Sequence, residues 1–188
     1  MTFYINAKKE DAARQISDQL KQCILRHSGA WSELVFLCVG TDRTTGDCLG
    51  PYIGHQLEAH TTDRIFVYGT LSQPVHALNL EAVSSGIRRR HPDALVIAID
   101  ASLGQKKHLG YVTIGNGSLH PGAAVHKELP PVGDIHITGI VNTAGALEHL
   151  TLQTTRLSTV VFLAERITQG ILTVIPASAP GPYVIQKL

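Results

Sequence analysis

The chain has 188 residues, 44% of them apolar and 16% charged, with a formal net charge of +1. These proportions exclude a disordered chain, and the near-neutral charge argues against nucleic acid as a partner. Three cysteines (Cys23, Cys38, Cys48) with no CxxC pair argue against a disulfide framework or a structural zinc site and suit a reducing cytoplasm.

At the N-terminus the charged-then-apolar pattern of a signal peptide is missing, and no apolar run is expected to reach the roughly 18 residues that span a membrane. A cytoplasmic protein without a membrane partner is therefore expected. Residues 8–27 predict an amphipathic helix, with Ala12, Ala13, Ile16, Leu20 and Ile24 at spacings of three and four. Residues 33–39 (ELVFLCV) predict a strand, and residues 49–60 a helix with Pro51 in its first turn. Residues 64–69 read as a second strand and 75–90 as a helix ending in Arg88, Arg89 and Arg90, where cations suit the helix dipole. Residues 94–99 (ALVIAI) form a third strand that ends on Asp100.

Strands at 110–114 and 135–141 follow, separated by a glycine- and proline-rich loop of about 20 residues, a length that marks function. A long helix over 146–169 and an edge strand at 172–175 complete the expectation, with an irregular tail. No linker divides the chain, so one domain over 1–188 is expected. Alternating strands and helices predict an α/β fold of three α/β/α layers around a mostly parallel or mixed sheet. Ligands in such sheets bind beyond the carboxyl ends of strands, where strand order reverses. That directs attention to the loop GTDRTTGDCLGP (40–51) and to Asp100.

The first loop is not a phosphate cradle. Its glycines are wrongly spaced for G-x-x-x-x-G-K-[ST], and Asp47 stands where a lysine would be. Carboxylate chemistry fits better. Asp47 precedes a helix and reads either as its N-cap or as a reactive group; Asp42 reads as a turn residue bonded to the amides of Thr44 or Thr45. Gly46 frees the backbone beside Asp47, and Gly50 begins the helix behind it. Asp100, at the end of a buried strand, is the natural partner. Two converging carboxyls can share a proton, one acting as base and one as acid. With a histidine they offer instead a site for a divalent metal (Zn, Ni or Mn) that activates water.

His120 and His126 in the long loop are candidates, with Lys127 beside them as a supporting residue. His76, His136 and His149 fall in or near predicted elements and read as structural. Cys48, beside Asp47, is a weaker candidate nucleophile because no histidine base is identifiable near it.

The segments GTDRTTGDCLGP, VYGTLSQPVHALNL, VIAIDASLG, PGAAVHKELPPVGDIHITGIVN and LQTTRLSTVVFLAERITQGI together resemble the YyaC-type sporulation protein family (DUF1256) of endospore-forming bacteria. That family in turn is similar to the germination protease, which shares a glycine-aspartate-leucine-glycine-proline segment, an AIDA strand end and an HPG loop. It is more distantly similar to the hydrogenase maturation endopeptidases. The first likeness implies Asp47 and Asp100 as a catalytic pair. The second implies the same two residues, with His120 as the best choice of histidine, around a nickel ion of the substrate. The resemblance implies a phosphorylase/hydrolase-like fold and a peptidase of the mother cell or forespore with a protein or peptide substrate. The alternative is a non-catalytic binding protein that kept the fold. A homodimer contact, if made, would use the NGSLHPGAA loop and the apolar face of the last helix.

Overall fold

The computed structural model describes residues 2–122 and 129–175. In chain order the elements are β1 (Thr2–Asn6), α1 (Ala12–Arg26), β2 (Glu33–Cys38), α2 (Leu49–Glu58), β3 (Ile65–Tyr68), α3 (Leu80–Arg90), β4 (Ala94–Gly104), β5 (Tyr111–Asn116), β6 (Ile135–Thr143), α4 (Glu148–Gln153) and α5 (Leu157–Val174). The six strands form one sheet in the order β1-β5-β6-β4-β2-β3. Strands β3, β2, β4 and β6 run parallel to one another, while β5 pairs antiparallel with both β6 and β1. The sheet is therefore mixed, and strand order reverses between β2 and β4.

Burial on both faces explains why β2 and the first half of β4 are apolar at nearly every position. Phe36, Cys38, Ile97 and Ile99 face a core built with α1, α2 and α5, whereas Val35, Leu37 and Ala98 face α3. These are the three expected layers.

Several elements differ from expectation. Strand β1 has no counterpart in the sequence reading; TFYIN is only five residues long, and its pairing with β5 supplies what so short a pattern lacks. The helix expected over 75–90 begins only at Leu80. Val75 instead pairs with Val39, and Asn79 ties residues 74–79 into a turn, its Oδ1 accepting from the His76 amide (2.8 Å) and its Nδ2 donating to the Pro74 carbonyl (3.1 Å).

The helix expected over 146–169 is broken into α4 and α5. Thr154 and Thr155 return their hydroxyls to the Leu150 and Thr151 carbonyls (2.8 and 2.7 Å), and Asn142 of β6 donates to Thr155 Oγ1 (3.2 Å), anchoring the break. Residues 172–174, expected as strand, are the last turn of α5. That helix has 18 residues and a mean hydropathy of 1.3, so by length and composition it can cross a membrane, contrary to the expectation that nothing in the chain could. Here its stripe of Val160, Leu163, Ala164, Ile167 and Ile171 is buried in the core with α1 and α2.

Beneath α3, His91 joins three elements. Its Nδ1 lies 2.8 Å from Glu33 Oε2, its Nε2 2.9 Å from the Tyr68 hydroxyl, and Phe66 packs on the ring at 4.1 Å. Truncating a buried group with two partners leaves both unsatisfied. His91→Ala is expected to destabilise the fold by about 2–3 kcal/mol in urea unfolding; a loss below about 0.5 kcal/mol would mean that water replaces the ring at no cost.

Candidate functional site

The strand-order reversal between β2 and β4 is where the two predicted carboxyls meet. A cavity of about 300 Å³ opens there, and both Asp47 and Asp100 line it.

The loop after β2 is folded tightly onto the sheet. The Val39 amide donates to the Ile99 carbonyl (2.7 Å), which places the loop beside Asp100. The Gly40 amide donates to the Val75 carbonyl (2.7 Å), and the Thr41 amide to the Asp47 carbonyl (3.1 Å). Gly40 has φ of +138°, and a Cβ there would lie 2.0 Å from the Asp47 carbonyl oxygen. Only glycine permits the loop to close on itself in this way. Gly50 serves a second close approach: a Cβ on it would meet the Val39 carbonyl at 2.0 Å, so α2 could not start this near to β2.

Asp47 stands in the 3-10 turn Thr45–Cys48. It is not the N-cap of α2; that position is Cys48, and no side chain caps it. Asp42 is exposed and away from the cavity, and the turn bond expected of it is made by Thr41, whose Oγ1 accepts from the Arg43 amide (3.3 Å). Gly46 is buried, packed beneath Leu152 and Thr155 of the α4 region. Cys48 donates its thiol to the Thr45 carbonyl (3.0 Å), and burial, with Asp47 adding to it, pushes its pKa up, the wrong direction for a nucleophile.

Asp100 lies inside β4 rather than after it. The strand continues to Gly104 because β6 offers a partner through Thr143, with a register shift at Ser102/Leu103. Asp100 is 8% exposed, opposite Thr138, and its Oδ1 accepts from the Ala101 amide (2.7 Å). Burial, then the neighbouring Asp47 charge, push its pKa well above the ordinary 3.8. Asp47 is also raised, by burial, but the Thr41 backbone and the His76 and His149 rings oppose the rise. The two carboxyls thus have unequal environments, the condition that separates an acid from a base.

Of the three histidines that sequence reasoning set aside as structural, His76 and His149 line the cavity, while His136 lies outside it with its Nδ1 3.0 Å from the Gly117 carbonyl. The signals that could have revealed them are Pro74 and Asn79, which mark a turn around His76, and the threonine cluster 151–155, which ends α4 just past His149. His76 Nδ1 accepts from the Leu78 amide (3.3 Å), so a neutral ring carries its proton on Nε2. Replacing either histidine with glutamine is expected to raise the Asp47 pKa further, seen as a carboxyl ¹³C titration moved to higher pH. An unmoved titration would show that the ring carries no charge near Asp47.

His120 is exposed and also lines the cavity; His126 and Lys127 lie outside the described residues. The metal set expected from the sequence is not assembled. Although Asp47, Asp100 and His120 share one cavity, among the described residues no three His, Cys, Asp or Glu side chains are grouped closely enough to hold a metal ion.

Comparison with known proteins agrees with this architecture. A solved structure, the [NiFe] hydrogenase maturation protease HycI from Thermococcus kodakarensis KOD1, superposes with a TM-score of 0.54 at 16% identity, covering 82% of this chain and 97% of that one. The likeness shows that the chain has the fold of that protease. The "Uncharacterized protein YyaC" of Bacillus subtilis (strain 168) is 44% identical over 168 residues, 89% of this chain and 81% of that protein. A family model described as "Protein of unknown function (DUF1256)" matches residues 4–170, which include every described residue of the cavity, and the chain belongs to that family.

Proposed function

We propose that the chain is a peptidase that hydrolyses a peptide bond held between Asp47 and Asp100. The observation that carries this reading is the pairing of two carboxyls of unequal environment in one cavity at the strand-order reversal. The maturation-protease fold supports it.

Asp47, the less perturbed carboxyl, is the base, and Asp100, whose burial favours the protonated form, is the acid. Asp47 takes a proton from a water molecule as its oxygen attacks the scissile carbonyl carbon, and Asp100 donates its proton to the carbonyl oxygen. The tetrahedral adduct then collapses: the C–N bond breaks and the departing nitrogen takes the proton from Asp47. Asp100 regains a proton from the adduct's hydroxyl as the carboxyl product forms, so both groups end as they began. The donors present do not fit a resident divalent ion, and no step is routed through one.

The sequence resemblance to sporulation proteins supports a role in spore formation or germination, with a protein of the same cytoplasm as substrate. The test is cleavage of spore extract proteins by the purified chain and by Asp47→Asn and Asp100→Asn variants, followed by mass spectrometry of new termini. New termini that appear with wild type and vanish with both variants are expected. Identical termini with all three, or none with any, would sink the proposal and leave a binding protein.

A further inference from the structure

We propose that the site selects an apolar peptide segment, with one aliphatic or aromatic side chain inside the cavity and a neighbouring one on its rim. This inference rests on the peptidase reading above and names the chemistry of its substrate.

The walls of the cavity carry the first half of the argument. Apart from the two aspartates and three histidines, no titratable side chain among the described residues lines it; Leu103, Leu119, Leu129 and Leu152 do. A volume of about 300 Å³ is at the small end of ligand sites, room for one large side chain and its flanking peptide units rather than for a folded surface. A charged side chain placed against four leucines would lose its hydration, whereas an apolar one gains from the same transfer.

The rim carries the second half. Leu78 is 87% exposed, Leu147 65% and Leu150 50%. Each is within two residues of a histidine that lines the cavity: Leu78 follows His76, and Leu147 and Leu150 flank His149. Isolated exposed leucines are ordinary, but three that adjoin lining residues of one cavity in the chain offer another apolar group a place to rest. Lining residues adjoin these leucines in the chain, Ala77 beside Leu78 and Leu152 two residues beyond Leu150, so an extended segment that fills the cavity runs out toward them. The occupant is a peptide because Asp47 and Asp100, the reacting groups of the proposed hydrolysis, line the same cavity as the leucines.

The experiment uses an equimolar library of random nine-residue peptides in two arms. In the first, the full-length Asp100→Asn protein is immobilised, and retained peptides are sequenced by mass spectrometry. Enrichment of Leu, Ile, Val, Phe or Met by about fivefold at two nearby positions is expected. The enrichment falls to background when Leu78→Ser and Leu147→Ser are added, two exposed positions whose change leaves the thermal midpoint in place. Retention of Lys/Arg-rich or Asp/Glu-rich peptides, no retention, or an apolar enrichment unmoved by the two serines would overturn the inference.

In the second arm the wild type is incubated with the same library and new termini are read. Cleavage beside apolar residues supports the inference, and cleavage with no apolar preference overturns it while the peptidase reading survives. Apolar retention in the first arm without cleavage in the second removes the peptidase reading, and with it the inference in its stated form.

Discussion

Asp100→Asn is expected to abolish hydrolysis and at the same time to stabilise the fold at neutral pH. The activity loss follows from removing the proton donor; positioned acid or base groups contribute about 10²–10⁴-fold to rate. Stability moves the other way. Burial first, and Asp47 second, raise the Asp100 pKa in the folded state, so the native chain holds this proton more tightly than the unfolded chain does. Between the ordinary value of 3.8 and the raised folded-state value, folding takes up a proton, and stability falls as pH rises. Below that window the carboxyl is protonated in both states and costs nothing.

Asparagine cannot ionise, keeps an oxygen for the Ala101 amide, and escapes the penalty. The thermal midpoint of the variant should therefore match wild type near pH 3.8 and exceed it increasingly as pH rises through the window. A variant less stable than wild type at neutral pH would show that Asp100 is ionised and paired in the native state. The rate of the wild type should rise with pH as Asp47 ionises and fall when Asp100 loses its proton, a bell whose limbs belong to the coupled pair.

Gly40→Ala is expected to cost about 3–5 kcal/mol and to remove activity together with stability. Its Cβ would lie 2.0 Å from the Asp47 carbonyl in a backbone with φ of +138°, so relief requires moving the turn that carries Asp47. The comparison that isolates this cause is Gly86→Ala. Gly86 lies in α3, nothing is within 4 Å of a Cβ built there, and alanine should stabilise by about 0.5–1 kcal/mol with activity unchanged. Chemical denaturation of both variants, read beside peptide cleavage, separates a clash at the site from a general dislike of larger residues. If Gly40→Ala folds with wild-type stability, the loop has a second way to close.

The layers and the convergence of Asp47 with Asp100 on one cavity were legible because both depend on local signals. Apolar runs mark buried parallel strands, and parallel strands carry their following loops to one edge. The parts that were not legible depend on pairing over distance. Val75 has a helical neighbour pattern, yet it pairs with Val39 and takes His76 out of the helix and into the cavity. Thr154 and Thr155 look like ordinary helix residues until Asn142, on another strand, fixes the break that sets α4 apart and brings His149 to the site. Asp100 seemed to end its strand because it is the first charged residue after an unbroken apolar run; β6 extends the pairing beyond it.

Asp100 is held on a strand bonded along both edges, while Asp47 rides on a single 3-10 turn secured by a few backbone bonds. Local opening of a native protein draws on its least cooperative parts. Amide exchange at Asp100 should therefore require unfolding of the whole sheet, whereas the amides of 44–48 exchange through small excursions of the turn. The two halves of the pair then belong to different units of cooperativity. Asp100 should stay in place for as long as the sheet is folded, and Asp47 should be the half whose position is the easier to perturb. A change in the geometry of this pair would therefore cost less through the turn than through the strand.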